Sequence, residues 1–192
     1  IIWGMFWIVA SLAVCSWGFN KARYTLPEEV ITELSEIPDA ERLTSITGVE
    51  FRSDIKFKQA LNSTIGEEDA RQFSSLLLQK AANMNGLLIF IGILSFIAAF
   101  HFSVGPIMWV LFSEIFPISV RGIAIPFFAL ITSLTSYLVQ QFFPWQLSTM
   151  GSSSIFLFYA ITVAIGLVIL YRFLPETKNM SIEEIQTALK SD

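Results

Sequence analysis

Cysteine and histidine are almost missing from this sequence. Cys15 is the only cysteine and His101 is the only histidine. A single cysteine excludes an intramolecular disulfide, although it does not identify the redox compartment. An intramembrane hydrolase would need a Ser–His or paired-aspartate arrangement, but the apolar stretches contain no aspartate and the chain has no Gly-x-Ser-x-Gly sequence. We therefore expect no enzyme activity and neither a metal nor a cofactor, and the hydrolase is the least favoured alternative.

Charge is scarce outside one segment. Residues 21–82 hold eight of the twelve Lys and Arg residues and eleven of the sixteen Asp and Glu residues. The net charge of −4 gives no indication of nucleic-acid binding. With 54% hydrophobic residues, the chain is too apolar for an ordinary soluble domain, which indicates that its principal partner is a lipid bilayer.

Four apolar stretches are long enough to cross a membrane, since a hydrocarbon core of about 30 Å needs about 20 helical residues. They are residues 1–20, 86–112, 123–143 and 155–174. The first has no initiator Met, basic region or cleavage site, so we expect it to be a membrane helix and not a signal peptide. We predict an all-α membrane protein with four transmembrane helices, and we expect the chain to lack the N-terminal part of a longer protein.

Basic residues predict the topology. Arg121 lies between the second and third stretches, and Arg172, Lys178 and Lys190 follow the fourth. The positive-inside rule places both regions in the cytoplasm and residues 21–84 outside, in the plasma membrane or the bacterial inner membrane. The predicted divisions are a membrane helix at 1–20, an outer insertion at 21–84, membrane helices at 85–174 and a cytoplasmic tail at 175–192. A capping box at Ser181 to Glu184 predicts a short helix in that tail.

The outer insertion has helical patterns. Pro27 followed by two glutamates indicates a helix start, and Phe51, Ile55 and Leu61 suggest a second short helix. Gly66 and three acids open a third helix, for which we predict one apolar side. The residues assigned to that side are Phe73, Leu76, Leu77, Lys80, Ala81 and Met84. We predict a small cap of two or three helices, and a solvated tether remains the alternative.

Residues 105–122 are unusual for a membrane helix. Gly105 and Pro106 interrupt the second apolar stretch, and Trp109 follows one turn later. Glu114 and Arg121 then bring charge to the junction with the third stretch. A bent helix that lines a polar cavity, followed by a loop that moves, would explain this combination.

Several motifs in order carry a resemblance to a known family. They are Gly105-Pro106-x-x-Trp109, Ser113-Glu114-Ile115-Phe116-Pro117, Arg121-Gly122 and Pro175-Glu176-Thr177-Lys178. In order and spacing they resemble the sugar porter family of the major facilitator superfamily, over residues 85–190. The resemblance implies a bundle of twelve helices, of which the four stretches here would be the ninth to the twelfth. It also implies transport of a sugar or polyol by alternating access.

The resemblance further implies roles for individual residues. Trp109, with Gly105 and Pro106, would line the sugar cavity, where the indole suits the face of a pyranose. Glu114, Arg121 and Glu176 would belong to a cytoplasmic salt-bridge network that opens and closes the inner side. Packing or interfacial anchoring remains the alternative for Trp109 and Arg121.

The third stretch supplies hydroxyl groups where the family usually has larger side chains. Thr132 and Ser136 fall at family positions for Asn or Gln, and Ser133 falls where many members have Trp. They would bind substrate, or else serve helix packing and back-bonding to the i−4 carbonyl. The identity of the sugar therefore stays open.

His101 is an ionisable residue inside a membrane stretch, so it is a candidate for a proton-linked role. A neutral histidine that bonds within the helix bundle is the alternative. Proton symport and facilitated diffusion both remain open. A transporter-like sensor, whose outer insertion binds a ligand, is the runner-up for the function.

Overall fold

The chain is almost entirely helical. The computed structural model describes residues 1–33, 40–116 and 118–173. Its α-helices are α1 (Ile2–Asn20), α2 (Glu28–Glu33), α3 (Asp54–Ile65), α4 (Glu67–Ala81), α5 (Gly86–Ala99), α6 (Gly105–Ile115) and α7 (Ile118–Phe173). A 3₁₀ helix spans Ala40–Ile46, a π-helix spans Phe100–Val104, and the strands β1 (Arg23–Tyr24) and β2 (Ala82–Asn83) pair antiparallel. The tail 175–192 lies outside the described residues.

Three helical segments are long and apolar enough to cross a membrane. They are Ile2–Asn20, Gly86–Val110 and Ile118–Arg172. The prediction of an all-α membrane protein is therefore confirmed. The third segment contains both the third and the fourth predicted stretches, and it is not one straight helix.

The connection between the last two apolar stretches differs from the prediction. The predicted stretches 123–143 and 155–174 leave a short connection at residues 144–154, but the helix continues through Pro144 and only Gly151 leaves the helical conformation, with φ 80° and ψ 163°. A proline removes one backbone hydrogen bond, and membrane helices tolerate this where neighbouring groups satisfy the freed carbonyl. Glycine adopts a positive φ without steric cost, so the break falls at Gly151.

The described chain divides into two compact units. The helical unit comprises Ile1–Leu12, Ile93–Pro144 and Phe158–Asp192. The insertion unit comprises Ala13–Gly92 and Trp145–Leu157. Each unit has its own pattern of packing.

The insertion unit has a closed apolar core. Its two strands pair the beginning of the insertion with its end, with Arg23 opposite Asn83 and Tyr24 opposite Ala82. Fully buried side chains from several elements meet inside it: Ala22, Leu26, Leu43, Phe57, Leu61 and Leu77. The small sheet was not predicted, because two-residue strands leave no alternation in the sequence.

The three predicted insertion helices all have counterparts in the structure. α2 begins at Glu28, directly after Pro27, and α3 and α4 cover the second and third predicted helices. The predicted apolar side of α4 is only partly right. Leu77 and Ala81 are buried, but Leu76 is 37% exposed and Ala70 takes a core position instead. The buried positions of a surface helix recur every three or four residues and form one stripe. Leu76 directly precedes Leu77, so its side chain lies on a different side of the helix from that stripe.

The helical unit presents its apolar side chains outward. In α7, Ile123 is 79% exposed and Leu130 is 67% exposed, and Phe127 and Leu134 are also exposed. Such a surface is unstable in water but suits lipid or further apolar helices. The observation agrees with a chain that spans a membrane.

Candidate functional site

The helix that carries the candidate site is interrupted by a π-helical turn. Phe100–Val104 forms this turn between α5 and α6, and the backbone N–H of Gly105 donates to the carbonyl of Phe100. A π-turn widens the helix by one residue, is a recognised cause of kinks and often occurs at functional sites. The sequence predicted a bend at Gly105 and Pro106, and the irregular turn lies directly before them.

Pro106 explains why the irregularity falls there. It has no backbone N–H, so the usual hydrogen bond to the carbonyl four residues earlier cannot form. At Gly105, a Cβ atom would lie 3.4 Å from the ring of Phe100 and 3.5 Å from its carbonyl oxygen, which are ordinary contacts. The space at position 105 therefore does not itself require glycine.

Trp109 lies on α6, one helical turn after Gly105. Its side chain is 44% exposed within this chain. An indole has a broad apolar face and one N–H donor, which are groups that can contact a sugar ring.

His101 lies inside the π-turn. Its Nδ1 is 2.9 Å from the carbonyl oxygen of Ile97, and its ring packs edge-on against Phe100 at 5.7 Å between centroids. A carbonyl oxygen only accepts, so Nδ1 must carry the proton in this contact.

The hydroxyl groups of α7 bond to their own helix. Thr132 Oγ1 donates to the carbonyl of Phe128 at 2.8 Å, and Thr135 Oγ1 donates to that of Ile131 at 2.9 Å. Thr132 and Ser136 are both exposed within this chain. The hydroxyl oxygen of Thr132 keeps its lone pairs, so it can still accept a hydrogen bond from a ligand.

The structure describes the three predicted gate residues to different extents. Arg121 lies in the first turn of α7, and its Nε and Nη2 donate to the carbonyl of Phe116 at 3.3 and 3.1 Å. Phe116 directly follows α6, so the guanidinium satisfies a carbonyl at the end of that helix. The backbone of Glu114 belongs to α6, whereas its side chain and all of Glu176 lie outside the described part of the chain.

A polar contact between α1 and α5 was missed by the sequence analysis. Trp7 Nε1 donates to Ser95 Oγ at 2.8 Å. Ser11 Oγ lies 3.0 Å from Ser95 Oγ and 2.9 Å from the carbonyl of Trp7. Small and hydroxyl residues at helical spacing often mark helix interfaces in membranes. The spacing of Gly4, Trp7 and Ser11 along α1 could have suggested this face.

A second missed contact lies in the insertion unit. Asp54 begins α3 and is only 7% exposed. Its Oδ2 accepts from the backbone N–H of Ser152 at 3.1 Å and from the Ser152 hydroxyl at 2.8 Å. The carboxylate thus caps the helical residues that follow Gly151. A Cβ at Gly151 would lie 2.8 Å from Asp54 Oδ1, so this position also needs glycine for space.

Asp54 also affects Tyr24, which is buried in the core of the insertion unit. Burial, together with the negative charge of Asp54, raises the pKa of Tyr24 to about 12.

The same unit has a polar cleft of about 300 Å³ along α3 and α4, to which Lys58, Gln59, Asn62 and Ser148 contribute.

The chain is similar to known transport proteins. The model of a family described as "Sugar (and other) transporter" matches residues 72–189, which is more than half of the chain. The glucose transporter GlcP of Staphylococcus epidermidis is 35% identical over 95 residues, or 50% of this chain and 21% of that protein. No solved structure matches the chain.

Two further relatives come from different organisms. Human solute carrier family 2, facilitated glucose transporter member 10, is 38% identical over 90 residues, which are 47% of this chain and 17% of the relative. The arabinose-proton symporter of Bacillus subtilis is 34% identical over 102 residues, which are 53% of this chain and 22% of the relative. The chain therefore spans about a fifth of the length of the curated relatives it matches.

Proposed function

Because the chain belongs to the family of sugar and other transporters, we propose that the complete protein carries a sugar or polyol across a membrane by alternating access. The observation that supports this most strongly is the family match over residues 72–189, which includes α6 and the whole of α7. Within it, an interrupted membrane helix bears an accessible tryptophan. Interrupted helices of this kind border substrate sites in transporters.

In this proposal Trp109 binds the substrate. Its aromatic face packs against the C–H face of the sugar and its N–H donates to a hydroxyl. Gly105 and Pro106 maintain the irregular backbone that presents it. Thr132 and Ser136 accept or donate hydrogen bonds with their hydroxyl groups, and these short side chains leave more room than an amide would.

Arg121 acts at the inner gate in this proposal. Its bonds to the carbonyl of Phe116 hold the junction of α6 and α7 together. Glu114 and Glu176 supply the negative charges of the gate, and its partners from the rest of the protein complete it. The network is closed in one state and broken in the other, which is how a bistable gate works.

His101 is the proposed proton-responsive group. With Nδ1 bound to Ile97, protonation at Nε2 would place a positive charge in the π-turn. One relative is named as a proton symporter. A pH gradient that drives sugar accumulation in the wild type, and fails to do so in His101→Gln, would support the coupling.

We further propose that residues 21–84 face the outside of the plasma or inner membrane and that the tail faces the cytoplasm. The basic residues after α6 and at the end of α7 support this orientation. Protease added outside sealed cells should cut the insertion and spare the tail. Cutting of the tail alone would reverse the orientation.

The direct test is sugar uptake by proteoliposomes that contain the full-length protein. A panel of labelled hexoses, pentoses and polyols is compared in the wild type, Trp109→Ala and Trp145→Ala. Trp145 is also an exposed tryptophan on a helix, at 64%, so it controls for loss of an indole. We expect uptake to fall at least about tenfold in Trp109→Ala, since one well-placed aromatic contact with a hydrogen bond can contribute over 1.4 kcal/mol. Substrate binding without uptake by the wild type would instead favour the sensor.

A further inference from the structure

We propose that Gly4 and Ser103 form a packing contact that positions the π-turn and, through it, Trp109. This inference rests on the proposed function, because it assigns the contact a role in substrate binding. Neither residue is placed against the substrate, so both are positioning residues. The contact joins α1 to the helix that carries the candidate site.

Gly4 is buried, and the space that a Cβ atom would occupy there is taken by the side chain of Ser103. Any side chain at position 4 would therefore have to displace Ser103. Ser103 cannot rotate away freely, because its hydroxyl donates to the carbonyl of Ala99 at 2.6 Å. Ala99 is itself fully buried, at 0% exposure. The two backbones thus meet at a point that has little freedom to adjust.

A second contact fixes the same helix before the π-turn. Ser95 lies on α5 and accepts the indole N–H of Trp7 from α1. Ser11 adds a hydroxyl contact to the same serine. Hydrogen bonds between helices in lipid contribute about 0.6 to 2 kcal/mol each. α1 therefore holds the interrupted helix at two points, one before the π-turn and one within it.

The position of the π-turn determines the position of Trp109. Trp109 lies six residues after Ser103, which is about 9 Å along a helix at 1.5 Å per residue. Because α6 begins at Gly105 and continues as regular helix, a shift at Ser103 is passed to Trp109 with little loss. A displacement of about 1 Å at a binding group can cost up to 100-fold in function. We therefore expect the Gly4–Ser103 contact to affect substrate affinity.

The test exchanges volume across the contact in the full-length protein. Gly4→Ala adds a methyl group and Ser103→Gly removes a side chain, and the double variant combines both. Without the Ser103 side chain, the nearest atom to the new Cβ is the Cα of residue 103 at 3.5 Å, an ordinary contact. Gly166→Ala is the matched control, because a Cβ there would lie 3.6 Å from the Met5 side chain.

Two measurements are made on protein that elutes as a folded species. The first is KM and kcat for sugar uptake. The second is the ¹⁹F resonance of Trp109 in protein labelled with fluorotryptophan, assigned with Trp109→Phe. We expect Gly4→Ala and Ser103→Gly each to raise KM about tenfold and to shift the Trp109 resonance. In the double variant, both KM and the position of the Trp109 resonance should approach the wild-type values. In Gly166→Ala, both should equal the wild-type values.

The proposal is supported if the Trp109 resonance shifts in either single variant and returns to its wild-type position in the double variant. This result does not depend on whether a transported sugar has been found. An unchanged Trp109 resonance in folded Ser103→Gly overturns it, even if Gly4→Ala does not fold. An unchanged KM in that variant, beside a lost uptake in Trp109→Ala, also overturns it and leaves the proposed function intact. No sugar uptake by the wild type, beside a shifted resonance, contradicts the proposed function alone.

Discussion

Within the insertion unit, the described part of residues 21–84 exposes few of its large apolar side chains, whereas the helical unit exposes many. Phe57 and Leu61 in α3 are 0% exposed, but Ile123 and Leu130 in α7 are 79% and 67% exposed. The first pattern is that of a small protein in water, stabilised by removal of apolar surface from solvent. The second suits lipid, in which an exposed leucine has no cost. One chain thus contains a region that packs apolar residues into a core and another that leaves them at its surface.

Hydroxyl groups do not distinguish the units. Thr64 in the insertion unit bonds to the carbonyl of Ala60, and Thr132 in the helical unit bonds to that of Phe128, each four residues earlier in its own helix. A helical threonine can reach such a carbonyl in water or in lipid. The contrast between the units therefore lies in the exposure of their apolar side chains.

The largest expected effect is the loss of a core leucine. Leu61→Ala should destabilise the insertion unit by about 2 to 5 kcal/mol, because it leaves a cavity in a closed core. Leu130→Ala removes the same atoms from an exposed position and should leave the stability of the insertion unchanged. The rate of proteolysis within residues 21–84 of the full-length protein measures the difference. Equal rates for the two variants would remove the distinction between the units.

The next effect concerns the carboxylate that caps the residues after Gly151. Asp54→Ala should cost about 3 kcal/mol, since two hydrogen bonds from Ser152 lose a charged acceptor. Asp69→Ala is the matched control, because Asp69 also lies in the first turn of a helix, α4. Hydrogen exchange of the Ser152 amide should accelerate in the first variant only. Equal acceleration in both would mean that general destabilisation of the insertion unit, and not loss of this cap, exposes the amide.

A smaller effect is expected from the titration of Tyr24. Its pKa in the folded protein is about 12, raised by burial and by Asp54, above the value of about 10 for an unfolded chain. The contribution of neutral Tyr24 to the free energy of unfolding is therefore complete below about pH 10. Between about pH 10 and 12 this contribution, on the order of 2 kcal/mol, is lost. The melting temperature should fall less over this range in Tyr24→Phe. An identical fall would contradict the assignment.

The smallest effect belongs to a surface ion pair. Arg71 Nη2 lies 2.9 Å from Glu67 Oε1 on the exposed side of α4. Such i, i+4 pairs contribute about 0.3 to 0.5 kcal/mol and weaken with salt. Glu67→Gln should increase proteolysis of α4 slightly at low salt and not at high salt. An effect as large as that of Leu61→Ala would show that surface charge, and not the core, stabilises the insertion.

Local sequence patterns made much of the fold predictable. The four apolar stretches fall largely within the three membrane-length helical segments, and α2 after Pro27 and the acidic start of α4 appear where the sequence indicated them. Each depends on local composition or on a capping residue. The prediction that Gly105 and Pro106 disturb the helix was close, and the π-turn before them is the form it takes.

The features that could not be predicted are mainly contacts between residues that are far apart in the sequence. Asp54 meets Ser152, and Trp7 meets Ser95, across long sequence separations. The helix also continues through Pro144, although a proline by itself indicates an interruption. The roles of Trp109, Thr132, Ser136, Glu114, Arg121, Glu176 and His101 remain proposals for the same reason.

The central proposal is that residues of the helical unit bind the sugar and that the insertion unit packs around its own core. Sugar affinity and proteolysis of residues 21–84 are measured together in full-length wild type, Trp109→Ala and Leu61→Ala. We expect Trp109→Ala to lose at least about tenfold in affinity with unchanged proteolysis. Leu61→Ala should show fast proteolysis with wild-type affinity. Loss of affinity in Leu61→Ala, with Trp109→Ala binding normally, would contradict the account and place recognition in the insertion.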